Sequence, residues 1–272
     1  MSVVAIPLGP TEVSRHAALS RRLGLFSFPL LGMATIFHRL GIADTADVLP
    51  ALGLAFLLGA IALVLGAWAL ARIWVHGYAG APSAGVGTSW GLATIAPVLL
   101  LAPIGFTTPR INQVSTDLAD PPAFVWVDRA RGVRPGPVPA ISPEVRALQA
   151  DAYPRVTTLR VDMPALEAYQ LAVQLVERRR WQILDRRAPA VPTTRPAGRS
   201  VAGGVPGRIE ATARTPLFGF PDDVVIRITP APNDQARVDM RSASRFGQHD
   251  FGANARRITE FLTEMRDRAL ER

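Results

Sequence analysis

The hydrophobic pattern divides the chain in two. Up to Phe106 apolar residues run in long uncharged blocks, and beyond Thr107 they recur at every second, third or fourth position. The longest block, Pro50 to Ala71, has 22 residues without one Asp, Glu, Arg or Lys. As a helix rising about 1.5 Å per residue it is long enough to cross the roughly 30 Å hydrocarbon layer of a bilayer. A second block, Val86 to Phe106, has 21 uncharged residues. Pro97 and Pro103 do not exclude it, because neighbouring helices in a membrane satisfy the carbonyls that a proline frees. Leu23 to Phe37 is shorter, 15 residues with Pro29 inside, Arg21 and Arg22 before it and His38 and Arg39 after it. Snorkelling of Arg22 and Arg39 extends it to about 18 residues. A cleaved signal core and an interfacial or buried helix are its alternatives, and Gly41 to Ala46 carries no clean Ala-x-Ala cleavage site. Trp68, Trp74, Tyr78 and Trp90 stand near segment ends, where interfacial aromatics are favoured.

The expected organisation is an N-terminal tail over 1–22 and a membrane anchor over 23–106. The anchor has three transmembrane helices, at about 23–40, 50–72 and 86–106. An extended linker over 107–141 leads to a soluble domain over 142–272. Short-loop arginines give the orientation. Arg15, Arg21, Arg22 and Arg72 share one side of a three-span anchor, and Arg39 and Arg110 the other. The positive-inside rule then sets the N-terminus in the cytoplasm and the C-terminal domain outside it, at a bacterial inner membrane. If Leu23–Phe37 does not span, the domain changes sides.

The second half reads as α+β. Ser142-Pro143-Glu144 opens a short helix, with a cap, a first-turn proline and a first-turn acid. Val156 to Val161 reads as a strand, after which Asp162 is placed to cap a helix running to about Arg180, with Leu166, Tyr169, Val173 and Val176 on one face. Trp181 to Leu184 is a short strand, and the Pro/Gly/Ala-rich stretch 186–207 a mobile loop. Three alternating strands follow, at Arg208–Thr215, Asp223–Thr229 and Arg237–Arg245. They set Ile209, Ala211, Ala213, Val224, Ile226, Ile228, Val238 and Met240 on one face, with charged residues on the other. A last helix from about Asp250 carries Phe251, Ala255, Ile258, Phe261, Leu262 and Met265 on one side. The expected fold is a two-layer domain of antiparallel sheet packed under two helices, in β-α-β-β-β-β-α order.

Composition excludes chemistry. The chain of 272 residues carries 30 basic side chains, every one an arginine, and no cysteine. Schiff-base lysines, lysine-containing phosphate loops, catalytic thiols, disulfides and thiolate metal sites are therefore absent from its repertoire. The net charge is +8, and the basic stretch Arg178–Arg199 reads first as a solvated surface and next as a site for anionic lipid. Nucleic acid is disfavoured, because few aromatics are interleaved with the arginines.

Three stretches carry a resemblance. They are STDLADPPAF, Ser115 to Phe124; ARTPLFGFPDDVVIRI, Ala213 to Ile228; and VDMRSASRFGQHDFGANARRI, Val238 to Ile258. Together they resemble a bacterial family known only as domain-of-unknown-function family 1499, over about Ile111 to Leu270, and the family's common architecture also has a multi-span anchor. The resemblance implies no reaction. The chain departs from the family pattern at Gln248-His249, and its Arg186–Gly207 insert is longer than typical.

The candidate set drawn from these motifs is Asp222, Asp223, Arg227, Arg241, Ser242, Ser244, Arg245, Asp250, Asn254 and Arg257. Asp250 is placed to cap the last helix. Arg227, Arg241 and Arg245 project from the polar sheet face, with Asp222, Asp223 and Asp239 as partners. Two arrangements fit: an ion-pair ladder with a helix cap, or an arginine-lined site for a phosphate, carboxylate or lipid head group. Asp222-Asp223 with His249-Asp250 has metal-ligating chemistry, but the reading assigns no metal and no cofactor. Ser242 and Ser244 have no histidine–acid pair beside them by any readable spacing, so no catalytic residue is assigned. The function expected is a binding or interaction module at the cell envelope, for an anionic lipid or an envelope protein. The alternative is a hydrolase or transferase using Asp222, Asp223, Asp250 and the arginines on a phosphorylated or lipid-linked substrate.

Overall fold

A computed structural model describes residues 14–127, 138–190 and 204–271. The chain forms two compact units, Met1–Pro103 and Ile104–Arg272. The first is helical, with α1 (Arg15–Arg39), α2 (Thr45–His76) and most of α3 (Ala81–Thr107). Two of these, α2 and α3, are long and apolar enough to cross a membrane.

The helices pack along seams of small residues. Buried positions recur three and four apart, at Ala17, Ser20, Gly24, Ser27, Leu31, Ala34 and His38 on α1. On α2 they are Thr45, Val48, Leu52, Ala55, Gly59, Ala62, Gly66 and Ala69, and on α3 Ala84, Gly87, Gly91 and Thr94. Such spacing keeps one stripe of each helix against its neighbours. Gly87 is required, since a Cβ there would stand 2.1 Å from Ser20 Oγ and 2.4 Å from the Ser20 carbonyl carbon. Polar contacts cross the seams. Ser20 Oγ donates to the Ala62 carbonyl at 2.7 Å, Ser27 and Thr94 hydroxyls meet at 3.0 Å, and His38 Nε2 meets Thr45 Oγ1 at 2.9 Å. Away from the seams α1 exposes Leu25, Phe26, Met33, Ile36 and Phe37.

The second unit is α+β, as expected. After the last turn of α3 come β1 (Gln113–Ser115), α4 (Pro143–Ala152), β2 (Leu159–Val161), α5 (Ala165–Arg178), β3 (Gln182–Arg187), β4 (Gly207–Arg214), β5 (Pro221–Ala231), β6 (Gln235–Ser244) and α6 (Ala253–Leu270). The six strands form one antiparallel sheet in the order β1-β6-β5-β4-β3, with β2 also paired to β6. From β2 onward the order is the expected β-α-β-β-β-β-α. Helices α5 and α6 cover the face bearing Ile209, Ala211, Val224, Ile226, Ile228, Val238 and Met240, closing a core around Phe261, Ile258, Leu171 and Leu175. Trp181 stacks on Phe261 at 5.7 Å.

Three local expectations change. Asp162 does not cap α5; Pro164 holds that position, and Asp162 accepts from Gln235 Nε2 at 2.5 Å. The segment after α3, expected as an extended linker, is held on the domain: Gln113–Ser115 pairs with Ala243–Arg241, and residues 116–127 form a strap over the polar sheet face. The Pro/Gly-rich stretch begins as ordered strand, β3 running to Arg187, and Ala190 bridges to Val205; its residues 191–203, like 128–137 of the linker, lie outside the described residues.

Candidate functional site

Strand alternation sorts the candidate residues. β5 turns Asp222 to the side of Val224 and Ile226, under the helices, and Asp223 to the other side with Val225 and Arg227. The expected pairing of Asp222 with the polar-face arginines is therefore corrected, because consecutive strand residues project to opposite faces. The candidates form two separate networks, one on each side of the sheet.

The helix-side network sits where α6 begins. Asp250 Oδ1 accepts from the Gly252 N–H and Oδ2 from the Asn254 N–H, both at 2.9 Å, so Asp250 satisfies the free donors at the helix start even though Gly252 occupies the cap position. Gly252 adopts φ 73°, which suits glycine there. One turn on, Asn254 accepts from Ser242 Oγ at 2.7 Å and donates to Ser244 Oγ and the Asn112 carbonyl, each at 3.1 Å. Arg257 donates to Ser242 Oγ at 2.8 Å and Asn254 Oδ1 at 2.7 Å, and pairs with Asp222. Burial pushes the Asp222 carboxyl above its ordinary range, and Arg257 pulls it back. The motif serines are thus hydrogen-bonding posts between β6 and α6.

The polar-face network is assembled by all three motif stretches. Arg245 grips Asp223 through Nε at 3.0 Å and Nη2 at 2.7 Å, and reaches Thr212 Oγ1 at 2.8 Å. Arg241 donates to Gln113 Oε1 at 2.5 Å and to the Pro139 carbonyl at 2.7 Å, with Phe124 under its guanidinium at 5.1 Å. Arg227 lies among Asp120 at 2.7 Å, Asp239 at 3.2 Å and Asp117 at 3.4 Å. Glu210, fully buried, receives the backbone N–H groups of Val125, Trp126 and Val127 at 2.8–3.1 Å and stands 3.1 Å from Arg208 Nε. Sequence reasoning gave no role to Asp117, Asp120 and Glu210. The two aspartates lie inside the Ser115–Phe124 motif, which was the available signal.

Beside this network is a cleft of about 230 Å³, lined by Arg187, Arg208 and Arg227 with Pro122, Ala123, Pro206, Gly207 and Val225. Among the described residues its lining holds three guanidiniums and no carboxylate. Arg208 pairs with Asp185 and Glu210, and Arg227 with Asp120 and Asp239. Arg187 is exposed and has no acidic partner among the described residues. Arg227 Nε is buried and makes no hydrogen bond among the described residues. Of the candidate set only Arg227 reaches the cleft. Arg187 and Arg208 were not in that set, because a cleft formed by a strand end, a strap and a loop leaves no periodic trace.

A family model for a protein of unknown function, DUF1499, matches residues 113–265. The chain belongs to that family. No curated protein and no solved structure matches the chain. The DUF1499 match begins at β1, inside the expected linker, and ends within α6. It therefore takes in the strap over the polar face, and the motif resemblance that pointed to the family is a resemblance in the two polar networks. The hydrolase or transferase alternative required Asp222, Asp223 and Asp250 around one point. In this DUF1499 domain the sheet separates Asp222 from Asp223, and Asp250 is engaged at a helix start.

Proposed function

We propose that this DUF1499 protein is anchored by three membrane spans and presents its C-terminal domain outside the cytoplasm to capture an anionic, phosphorylated component of the cell envelope. The observation that carries the ligand class is the cleft lining, which among the described residues brings three guanidiniums and no carboxylate beside the apolar walls of Pro122, Ala123, Pro206 and Val225. Guanidinium pairs with phosphate oxygens through charge-assisted, often bidentate hydrogen bonds, and apolar walls favour an attached hydrocarbon group. The third span is supported by the outward face of α1, where Phe26, Met33 and Ile36 are more than half exposed at 59%, 55% and 55%. Contiguous apolar surface of that kind is costly in water and at home in lipid. Ser27 meeting Thr94 sets α1 and α3 in register, with Val86–Pro103 beside Leu19–Ile36, so the two helices occupy the same depth. The orientation rests on the arginine count of the short loops.

The test is calorimetric titration of the detergent-solubilised full chain with inorganic phosphate, hexyl phosphate and hexanol. Hexyl phosphate is expected to bind more tightly than inorganic phosphate, and hexanol not to bind. Arg187→Gln is expected to weaken hexyl phosphate about tenfold, the loss of roughly one charge-assisted contact. Absence of binding by both phosphates, or binding indifferent to Arg187→Gln, overturns the assignment.

A further inference from the structure

A different surface, at one end of the sheet, points to the bilayer itself. The end of the apolar helix α3 is joined to the domain by a short tether, 108–112, which enters the sheet beside β6; the Asn112 carbonyl accepts from the Ser244 N–H at 2.8 Å. The last turn of α3 is held against the loop that precedes α6. Thr108 Oγ1 meets His249 Nε2 at 2.9 Å, and a Cβ at Gly105 would lie 3.1 Å from the Phe251 ring. Antiparallel register fixes what else lies at this end. Ser244 pairs with Asp222, and Arg214 with Pro221, so the β4–β5 hairpin tip Thr215–Phe220 is on the tether's side of the sheet. With strands about 4.8 Å apart, the tip lies roughly 10–15 Å from the tether.

That tip is apolar where a hairpin turn in water is ordinarily polar. It reads Pro-Leu-Phe-Gly-Phe, with Leu217 51% exposed and the Phe218 and Phe220 rings packed at 5.7 Å. Phe251 adds an exposed ring, 36% exposed, held out at φ 52° and stacked on His249 at 4.5 Å. A positive φ at a bulky residue is uncommon. The exposed charges on the segments around this surface are one-sided. Over the tether, the hairpin and the 245–256 loop and first turn, the exposed charges are Arg110, Arg214 and Arg256, whereas Asp222, Asp223 and Asp250 are buried.

We propose that the Pro216–Phe220 tip and Phe251 insert into the headgroup region of the membrane that anchors the chain, with Arg110, Arg214 and Arg256 meeting anionic lipid headgroups. Apolar insertion flanked by arginine is the chemistry of an interfacial lipid contact. Continuity with α3 selects the lipid over a protein partner. Residue 112 is six residues from the end of the uncharged block at Phe106, a reach of at most about 20 Å. The docked end would hold the domain in one orientation on the bilayer.

The natural absence of cysteine permits a direct test. Full-length Leu217→Cys, Phe251→Cys and Pro232→Cys proteins are spin-labelled in nanodiscs, and collision rates are measured with oxygen, which favours lipid, and a water-soluble nickel chelate. Pro232 lies on the β5–β6 turn at the opposite end of the sheet. Oxygen collisions are expected to exceed nickel collisions at 217 and 251 and to fall below them at 232. Replacing roughly one-third of a phosphatidylcholine bilayer with phosphatidylglycerol is expected to deepen the first two labels, and Arg110→Glu with Arg256→Glu to cancel that deepening. Labels at 217 and 251 as open to nickel as the label at 232 would overturn the proposal. Lipid immersion indifferent to phosphatidylglycerol would overturn the headgroup contact.

Discussion

Glu210 is a buried carboxylate whose neighbours are three backbone N–H groups and one guanidinium. It holds the strap over the polar face by its charge, since the strap contributes only Phe124 and Val127 to the small apolar cluster there, with Val225 and Ala243. Glu210→Ala leaves the donors of Val125, Trp126 and Val127 unpaired and Arg208 short of a partner. The expected cost is about 3 kcal/mol, the scale for losing one member of a buried charge-assisted set. Thermal unfolding measures the total, and amide exchange at 125–127 measures the release of the strap. Asp222 gives a second test, through pH. Burial raises its carboxyl above the ordinary 3.8 despite Arg257 beside it and Ser244 within hydrogen-bonding reach, with Asp250 adding to the rise. The folded state therefore retains a proton that the unfolded chain releases. Stability from this group is complete below the ordinary value and is lost as pH rises through the raised one. Asp222→Asn is expected to flatten that part of the thermal midpoint's pH dependence, and an unchanged slope would assign it elsewhere.

At the scale of elements, the helical unit rests on close backbone approach between helices. Gly87→Val forces a side chain into Ser20, and α1 is expected to part from α3. Cysteines at positions 27 and 94 report this, because the native side chains meet across the seam. Their oxidative cross-link is expected to form in the parent and to be lost with Gly87→Val. How far the elements could be read from residue order follows from their periodicity. β4, β5, β6, α5 and α6 each present an apolar stripe with a fixed repeat, so their order and most of their inward positions were legible, whereas Leu166 and Phe251, expected on the apolar helix faces, are exposed. Asp222 was misassigned because a polar residue was read as a polar-face residue. Its strand position places it on the Val224 side, where the start of α6 brings Asn254 and Arg257 to an otherwise apolar layer. The strap escaped notice for the opposite reason. Its contacts are backbone donors to Glu210 and acids to Arg227, and neither imposes a repeat on the sequence.

At the scale of the whole molecule, the proposed function depends on where the domain resides, and that depends on the number of crossings. Two crossings return the domain to the side of the N-terminus, and three carry it across. α1 is the deciding helix, with Arg21, Arg22 and Arg39 flanking its apolar block and an outward face of Phe26, Met33 and Ile36. The measurement that bears on this most directly is cysteine labelling with a membrane-impermeant maleimide, again helped by the cysteine-free background. Ser2→Cys and Pro232→Cys proteins are labelled in intact spheroplasts and in inverted membrane vesicles. The account predicts that position 232 reacts in spheroplasts and position 2 only in inverted vesicles. Labelling of both positions from the same side would contradict the third span and the extracytoplasmic domain with it.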